Sequence, residues 1–170
     1  MPTLIILIAS TSAAVCDLRW RRIPNWLVVS TILLSLVWHA SVGGLTGLWM
    51  SAAGLLVGTA VLLPLFLLRG MGAGDVKFFG AISAALTYKY VFTMLLISAI
   101  IAGIMALFTV FWGRAFIATL RNLASLFGWF LRGHLKPHPV VSLANKSALA
   151  VPFGVSVAAA AWLFVLFGTQ

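Results

Sequence analysis

Residues 16–25 read Cys16-Asp17-Leu18-Arg19-Trp20-Arg21-Arg22-Ile23-Pro24-Asn25. Residues 2–15 before them carry no charge, and a second apolar run begins immediately after them. Two apolar stretches separated by arginines and a proline describe two helices that meet at a membrane surface. Pro24 suits the first turn of the second helix, where its missing N–H costs nothing. Arg19, Arg21 and Arg22 mark the cytoplasmic side.

The composition extends this reading to the whole chain. Hydrophobic residues make up 63% of the 170 residues, mean hydropathy is +1.16 and only 8% are charged. Roughly a quarter of the residues of a soluble domain are charged. The expected fold class is therefore all-α: a polytopic membrane protein forming a single domain over residues 1–170. Apolar runs predict about six transmembrane helices, at 2–17, 25–42, 46–68, 76–88, 90–112 and 147–168. The fourth is short for a full span and reads as tilted, started inside a glycine loop, or re-entrant. Gly43-Gly44 supplies the tight turn between the second and third, and Pro64 and Pro152 are expected to kink their helices. The first run has no positive segment before it and is followed by the charges, so it reads as a retained span rather than a cleaved signal. No repeat of fixed period is present.

Charge sets the orientation. With the N-terminus outside, every Lys and Arg except Lys89 falls on the inner side, which is the expected bias for cytoplasmic loops. Net charge is +9. In so apolar a chain this balance points to anionic headgroups of the lipid bilayer, not to nucleic acid. The segment 114–132 differs from the spans. At 100° per residue, Arg114, Arg121, Ser125 and Arg132 fall within about 40° of one another, with Phe116, Leu120, Leu123, Phe127 and Phe130 opposite. It reads as an amphipathic helix lying on the cytoplasmic leaflet, as an anchor or as a lid or dock.

The chain has two acids, Asp17 and Asp75, and no glutamate. A carboxylate in or near lipid is costly, and its presence there points to function. The orientation puts both at the cytoplasmic boundary, at the end of the first helix and the start of the fourth. Asp75 follows Gly70-Met71-Gly72-Ala73-Gly74. No strand precedes these glycines and no Gly-Lys-Ser/Thr follows, which excludes a phosphate loop. Their expected role is to permit backbone conformations that bring Asp75 close to Asp17. Lys77, two residues on, points away from Asp75 on a helix and is expected to reach toward headgroups or a neighbouring helix. A single Cys16 excludes an internal disulfide, and Pro137 breaks the helix that would align His134 with His138, so no metal site is expected. Gly54 with Gly58, and Ala99 with Gly103, have the spacing of close helix packing.

Two carboxylates brought together cannot both ionise comfortably. One keeps its proton while the other acts as base toward water, a division of roles suited to peptide hydrolysis. The alternative is a proton- or cation-coupled transporter using the same two groups. It is disfavoured because both acids sit at one boundary and no polar path crosses the spans. A structural subunit with acids that only satisfy basic partners is a third possibility.

Asp17 followed by Ile23-Pro24-Asn25, and then Gly72-Ala73-Gly74-Asp75-Val76-Lys77, resembles the paired motifs of type IV prepilin peptidases, which are GxGD-type membrane aspartic proteases. The resemblance implies an aspartic endopeptidase at the cytoplasmic side of the bacterial inner membrane, with a prepilin as partner and substrate. It implies Asp17 and Asp75 as the catalytic pair, supported by Ile23, Pro24, Asn25, Gly72, Gly74 and Lys77, with no cofactor or metal. The chain lacks the cytoplasmic insertion and cysteine tetrad of the longer bifunctional members, so no methyltransferase activity is expected. It is similar to the short stand-alone members that process Flp-type pilins of Tad secretion systems. Val151-Pro152-Phe153-Gly154 also resembles an element of that branch.

The charge asymmetry makes a direct prediction. A cysteine placed at Ser125 in a Cys16-free background should resist an impermeant thiol reagent applied to spheroplasts and react once the membrane is opened. Labelling from outside would invert the topology.

Overall fold

The fold was obtained as a computed structural model, which describes residues 2–68, 70–112 and 153–167. The expected amphipathic helix at 114–132 and Pro152 lie outside the described residues. Among the described residues the chain is helical, with no strand. The helices are α1 (Thr3–Trp20), α2 (Asn25–Leu67), α3 (Ala73–Leu86), α4 (Val91–Trp112) and α5 (Phe153–Phe167), with a 3-10 turn at Tyr88–Tyr90.

Among the described residues, three stretches are long and apolar enough to cross a membrane: Thr3–Trp20, Asn25–Leu67 and Tyr88–Thr109. They cover the first, second, third and fifth of the six expected crossings, and the sixth is described only in part. The predicted second and third crossings form the single 43-residue element α2. A straight helix of that length would run about 64 Å, roughly twice the apolar thickness of a bilayer. It is not straight. Gly44 has φ 58 and ψ −143, the only non-helical dihedrals inside α2. The backbone of Gly47 also lies directly against the carbonyl of His39, a residue about 12 Å away along an unbroken helix. The chain therefore folds back at Gly44, the turn expected at Gly43-Gly44. Glycine is required there because φ is positive. Pro64, by contrast, keeps helical dihedrals near the end of α2.

The predicted fourth crossing is α3, at 14 residues too short to span upright. Every residue from Phe78 to Leu86 is buried. A helix apolar all round is a buried helix, and α3 contacts α1, α2, α4 and α5. The second half of α2 meets it through small residues. Gly54 lies against the Ser83 carbonyl and Thr87, and Gly58 against the Ser83 side chain. Gly80 of α3 lies against Thr59 and Leu55. The Ser51 hydroxyl donates to the Ala84 carbonyl at 2.9 Å. Thr87 ends α3 with φ 68, and Tyr90 packs edge-on against Phe164 of α5, with ring centroids 5.1 Å apart. α5 is also tied to α1, where Trp162 Nε1 donates to Thr11 Oγ1 at 3.1 Å.

The Gly54/Gly58 pair thus packs as its spacing predicts, whereas among the described residues Ala99/Gly103 meets no such neighbour. Ala99 is exposed, and a Cβ on Gly103 would meet nothing within 4 Å. The two glycine sites should respond oppositely to side-chain growth. Gly58→Leu forces α2 away from α3 and should cost about 1–3 kcal/mol or more. Gly103→Ala should be neutral or slightly stabilising, because alanine favours helix by about 1 kcal/mol. Thermal unfolding in detergent, followed by helical circular dichroism, would measure both.

Candidate active site

The site begins where α1 stops. Arg21 takes a left-handed backbone, φ 50 and ψ 35, and its N–H donates to the Asp17 carbonyl at 2.9 Å. This ends the helix within one turn of Asp17 and directs the chain into Ile23 and Pro24. Pro24 caps α2 with φ −68 and ψ 139, and Asn25 is the first helical residue, so the proline lies one position earlier than expected. The Pro24 carbonyl accepts from the N–H groups of Leu27 at 3.1 Å and Val28 at 3.4 Å.

Asp17 is 6% exposed, and its Oδ2 is buried without a hydrogen-bond partner among the described residues. Its surroundings come from three parts of the chain. The charge of Arg21 acts on it, although Arg21 itself is exposed and forms no ion pair with it. The amides of Gly154 and Val155, at the start of α5, also act on the carboxylate, without a well-aligned hydrogen bond to Oδ2. The third neighbour is Asp75, whose carboxyl feels the charge of Asp17. The two acids of the chain are therefore brought together.

Asp75 lies in the first turn of α3, three residues after the cap Gly72. Its carboxylate reaches back to the Gly72 amide, as the third residue of a capping box does. The positive end of the α3 dipole favours a negative charge there. Burial nevertheless pushes the Asp75 carboxyl up to about 6, and the charge of Asp17 adds to the push, while the Gly72 amide opposes it. Asp75 is partly buried, so the site reaches solvent on this side.

The glycine loop works by space, not by unusual dihedrals. Gly72 has φ −75 and ψ 146, a conformation open to any residue, and among the described residues the one glycine with positive φ is Gly44. A Cβ on Gly72 would lie 3.2 Å from Asp75 Oδ2, in the path of the returning carboxylate. A Cβ on Gly74 would make only ordinary contact, 3.8 Å from Ile23 Cβ. Ile23 is buried and lies against both Gly74, the residue before Asp75, and Gly154 of α5. Lys77 and Asn25 are exposed, and neither is seated against the carboxylates. Gly154, noticed in the sequence only as part of a resemblance, is a direct neighbour of Asp17. Among the described residues, no three His, Cys, Asp or Glu side chains gather as a metal site would require.

Comparison with known families supplies the deciding observation: the model of the type IV leader peptidase family matches residues 4–107. The chain belongs to the type IV leader peptidase family. The match covers Asp17, the Ile23-Pro24-Asn25 turn, the glycine loop and Asp75. No curated protein and no solved structure matches the chain. The peptidase family and the membrane-length helices together agree with the sequence reading of a membrane protease.

The raised carboxyl has a consequence for stability. An unfolded Asp75 ionises near 3.8, the folded one only near 6. Between these values the folded state binds more protons, so stability should fall as pH rises through that window and level off above it. Thermal unfolding in detergent across pH 4–7 should show this slope, and Asp75→Asn should flatten it. An unchanged slope in the variant would assign it to another group.

Proposed function

We propose that this chain is an aspartic endopeptidase that removes the leader of a type IV, Flp-like prepilin at the cytoplasmic boundary of the bacterial inner membrane. Asp17 and Asp75 are its catalytic pair. The carrying observation is that the two acids of so apolar a chain converge: Ile23 packs against Gly74, next to Asp75, and against Gly154, which also lies against Asp17 Oδ2.

In this reading the two carboxyl groups share one proton. The ionised carboxylate takes a proton from water as its oxygen attacks the scissile carbonyl. The protonated partner donates to the carbonyl oxygen, giving a tetrahedral diol. Collapse of the diol returns a proton to the leaving amine and breaks the C–N bond, without a covalent enzyme intermediate. Ile23 and Gly72 keep the carboxylates in place, Gly74 packs against Ile23 beside Asp75, and Pro24 and Asn25 start the helix that follows the turn. Lys77, exposed near Asp75, is assigned to headgroups at the membrane surface. The peptidase domain is proposed to span residues 1–170, with the N-terminus periplasmic. Methyl transfer is not part of the proposal, because the chain has neither the insertion nor the cysteine tetrad that the sequence resemblance associates with it.

The test is conversion of a synthetic prepilin peptide, with a basic leader ending in glycine before an apolar helix, by the purified protein in detergent. Asp17→Asn and Asp75→Asn should each abolish cleavage, and the double variant should be scarcely worse than either, since residues acting as a unit are non-additive. The wild-type rate should follow a bell-shaped pH profile whose two apparent pKa values belong to the pair. Substantial cleavage by either Asn variant would sink the two-aspartate mechanism.

A further inference from the structure

The start of α5 lies outside the part of the chain matched by the family model, which ends at residue 107. It nevertheless completes the surroundings of Asp17. Gly154 is buried in the first turn of α5. A Cβ there would lie 2.7 Å from Asp17 Oδ2, 3.1 Å from its Cγ and 3.0 Å from Ile23 Cδ1. Its φ is not positive, so dihedral freedom is not what the position needs. It needs the space a side chain would take.

That space is filled by a group expensive to place there. A buried carboxylate oxygen without a hydrogen bond is costly, most of all when it is charged. Its own helix makes matters worse, because Asp17 lies in the last turn of α1, at the negative end of that dipole. The amides of Gly154 and Val155 come from the opposite kind of helix end. They approach because residue 154 has no Cβ. Farther along the same two helices, the Trp162–Thr11 hydrogen bond fixes α5 against α1.

We propose that Gly154 is a positioning residue: its missing side chain lets the first turn of α5 close on Asp17 and fixes the carboxylate in its place beside Asp75. Gly154 touches no substrate in this assignment and acts through Asp17. Packing against Ile23 alone is the competing reason for a glycine, and the two reasons separate by experiment. The kinetic half rests on the peptidase reading, whereas the contact itself does not.

The experiment is a pair of double-mutant cycles on the full-length protein in detergent. Gly154→Ala should lower the melting temperature by about 5 °C. In an Asp17→Ala background, where the opposing carboxylate is gone, most of that loss should vanish. Ile23→Val, which removes the other close atom, should leave most of it in place. Equal losses with and without the Asp17 carboxylate, or full relief by Ile23→Val, would overturn the assignment. If Gly154→Ala alone does not accumulate, recovery of folded protein on adding Asp17→Ala supports the contact, and failure to recover overturns it.

With the same synthetic prepilin peptide, Gly154→Ala should lower kcat by about 100-fold, while KM changes by less than about threefold. An unchanged kcat, or a loss confined to KM, would show that Gly154 does not position Asp17 for the reaction. Should the wild-type protein leave the peptide uncut, the peptidase reading falls, and the stability cycles alone decide for or against the Gly154–Asp17 contact.

Discussion

Within a bilayer, apolar side chains gain little by leaving lipid for one another, so helices are held by close packing and hydrogen bonds. The short helix α3 shows what this demands. It has no length to spare for spanning, and its buried residues run without interruption from Phe78 to Leu86. Gly54 and Gly58 of α2, and Gly80 of α3 itself, bring the two backbones together. The Ser51–Ala84 hydrogen bond adds direction to that contact. Asp75 is carried at the exposed end of this enclosed helix. The position of one catalytic candidate thus depends on glycines that lie in other turns and carry no chemistry.

The two carboxylates are handled differently. Asp75 stands at a helix start, reaches back to the Gly72 amide and keeps part of its surface open. Asp17 stands at a helix end and is almost wholly enclosed. What Asp75 receives from its own helix, Asp17 must take from α5 and from Arg21. Such an arrangement gives two chemically identical side chains unequal environments, which is the requirement for an acid and a base to be made from one residue type. Ile23 holds the arrangement together by packing toward both Gly74 and Gly154.

Much of this was legible in the sequence, for reasons that can be named. Two acids in an apolar chain are conspicuous because charge near lipid is expensive. Gly44 was legible as a turn because few other residues accept positive φ. Spacing was a poorer guide. Gly54/Gly58 and Ala99/Gly103 look alike in sequence, yet among the described residues only the first pair meets a neighbouring helix. A spacing pattern defines a face but not what covers it. The glycines before Asp75 were read as conformational, whereas Gly72 has ordinary dihedrals and serves to clear the path of a carboxylate. The contact between Gly154 and Asp17 joins opposite ends of the chain, and no local signal announces such a pairing. Tertiary packing alone creates it.

The family match and the site geometry divide the molecule in an informative way. Residues 4–107 contain both acids, the Ile23 turn and the packed pair α2 and α3. Those parts carry both carboxyls, and the charge of Asp17 acts on Asp75. They are not enough to complete the surroundings of Asp17, because the amides against its carboxylate belong to α5. A buried charge lacking such dipoles loses stabilisation that neighbouring lipid cannot supply. The first and last described helices are therefore coupled through a functional group as well as through packing. Any shift of α5 relative to α1 moves the amides relative to the carboxylate and Gly154 relative to Ile23, so the geometry of the pair is a property of the whole bundle and not of the two motifs that carry it.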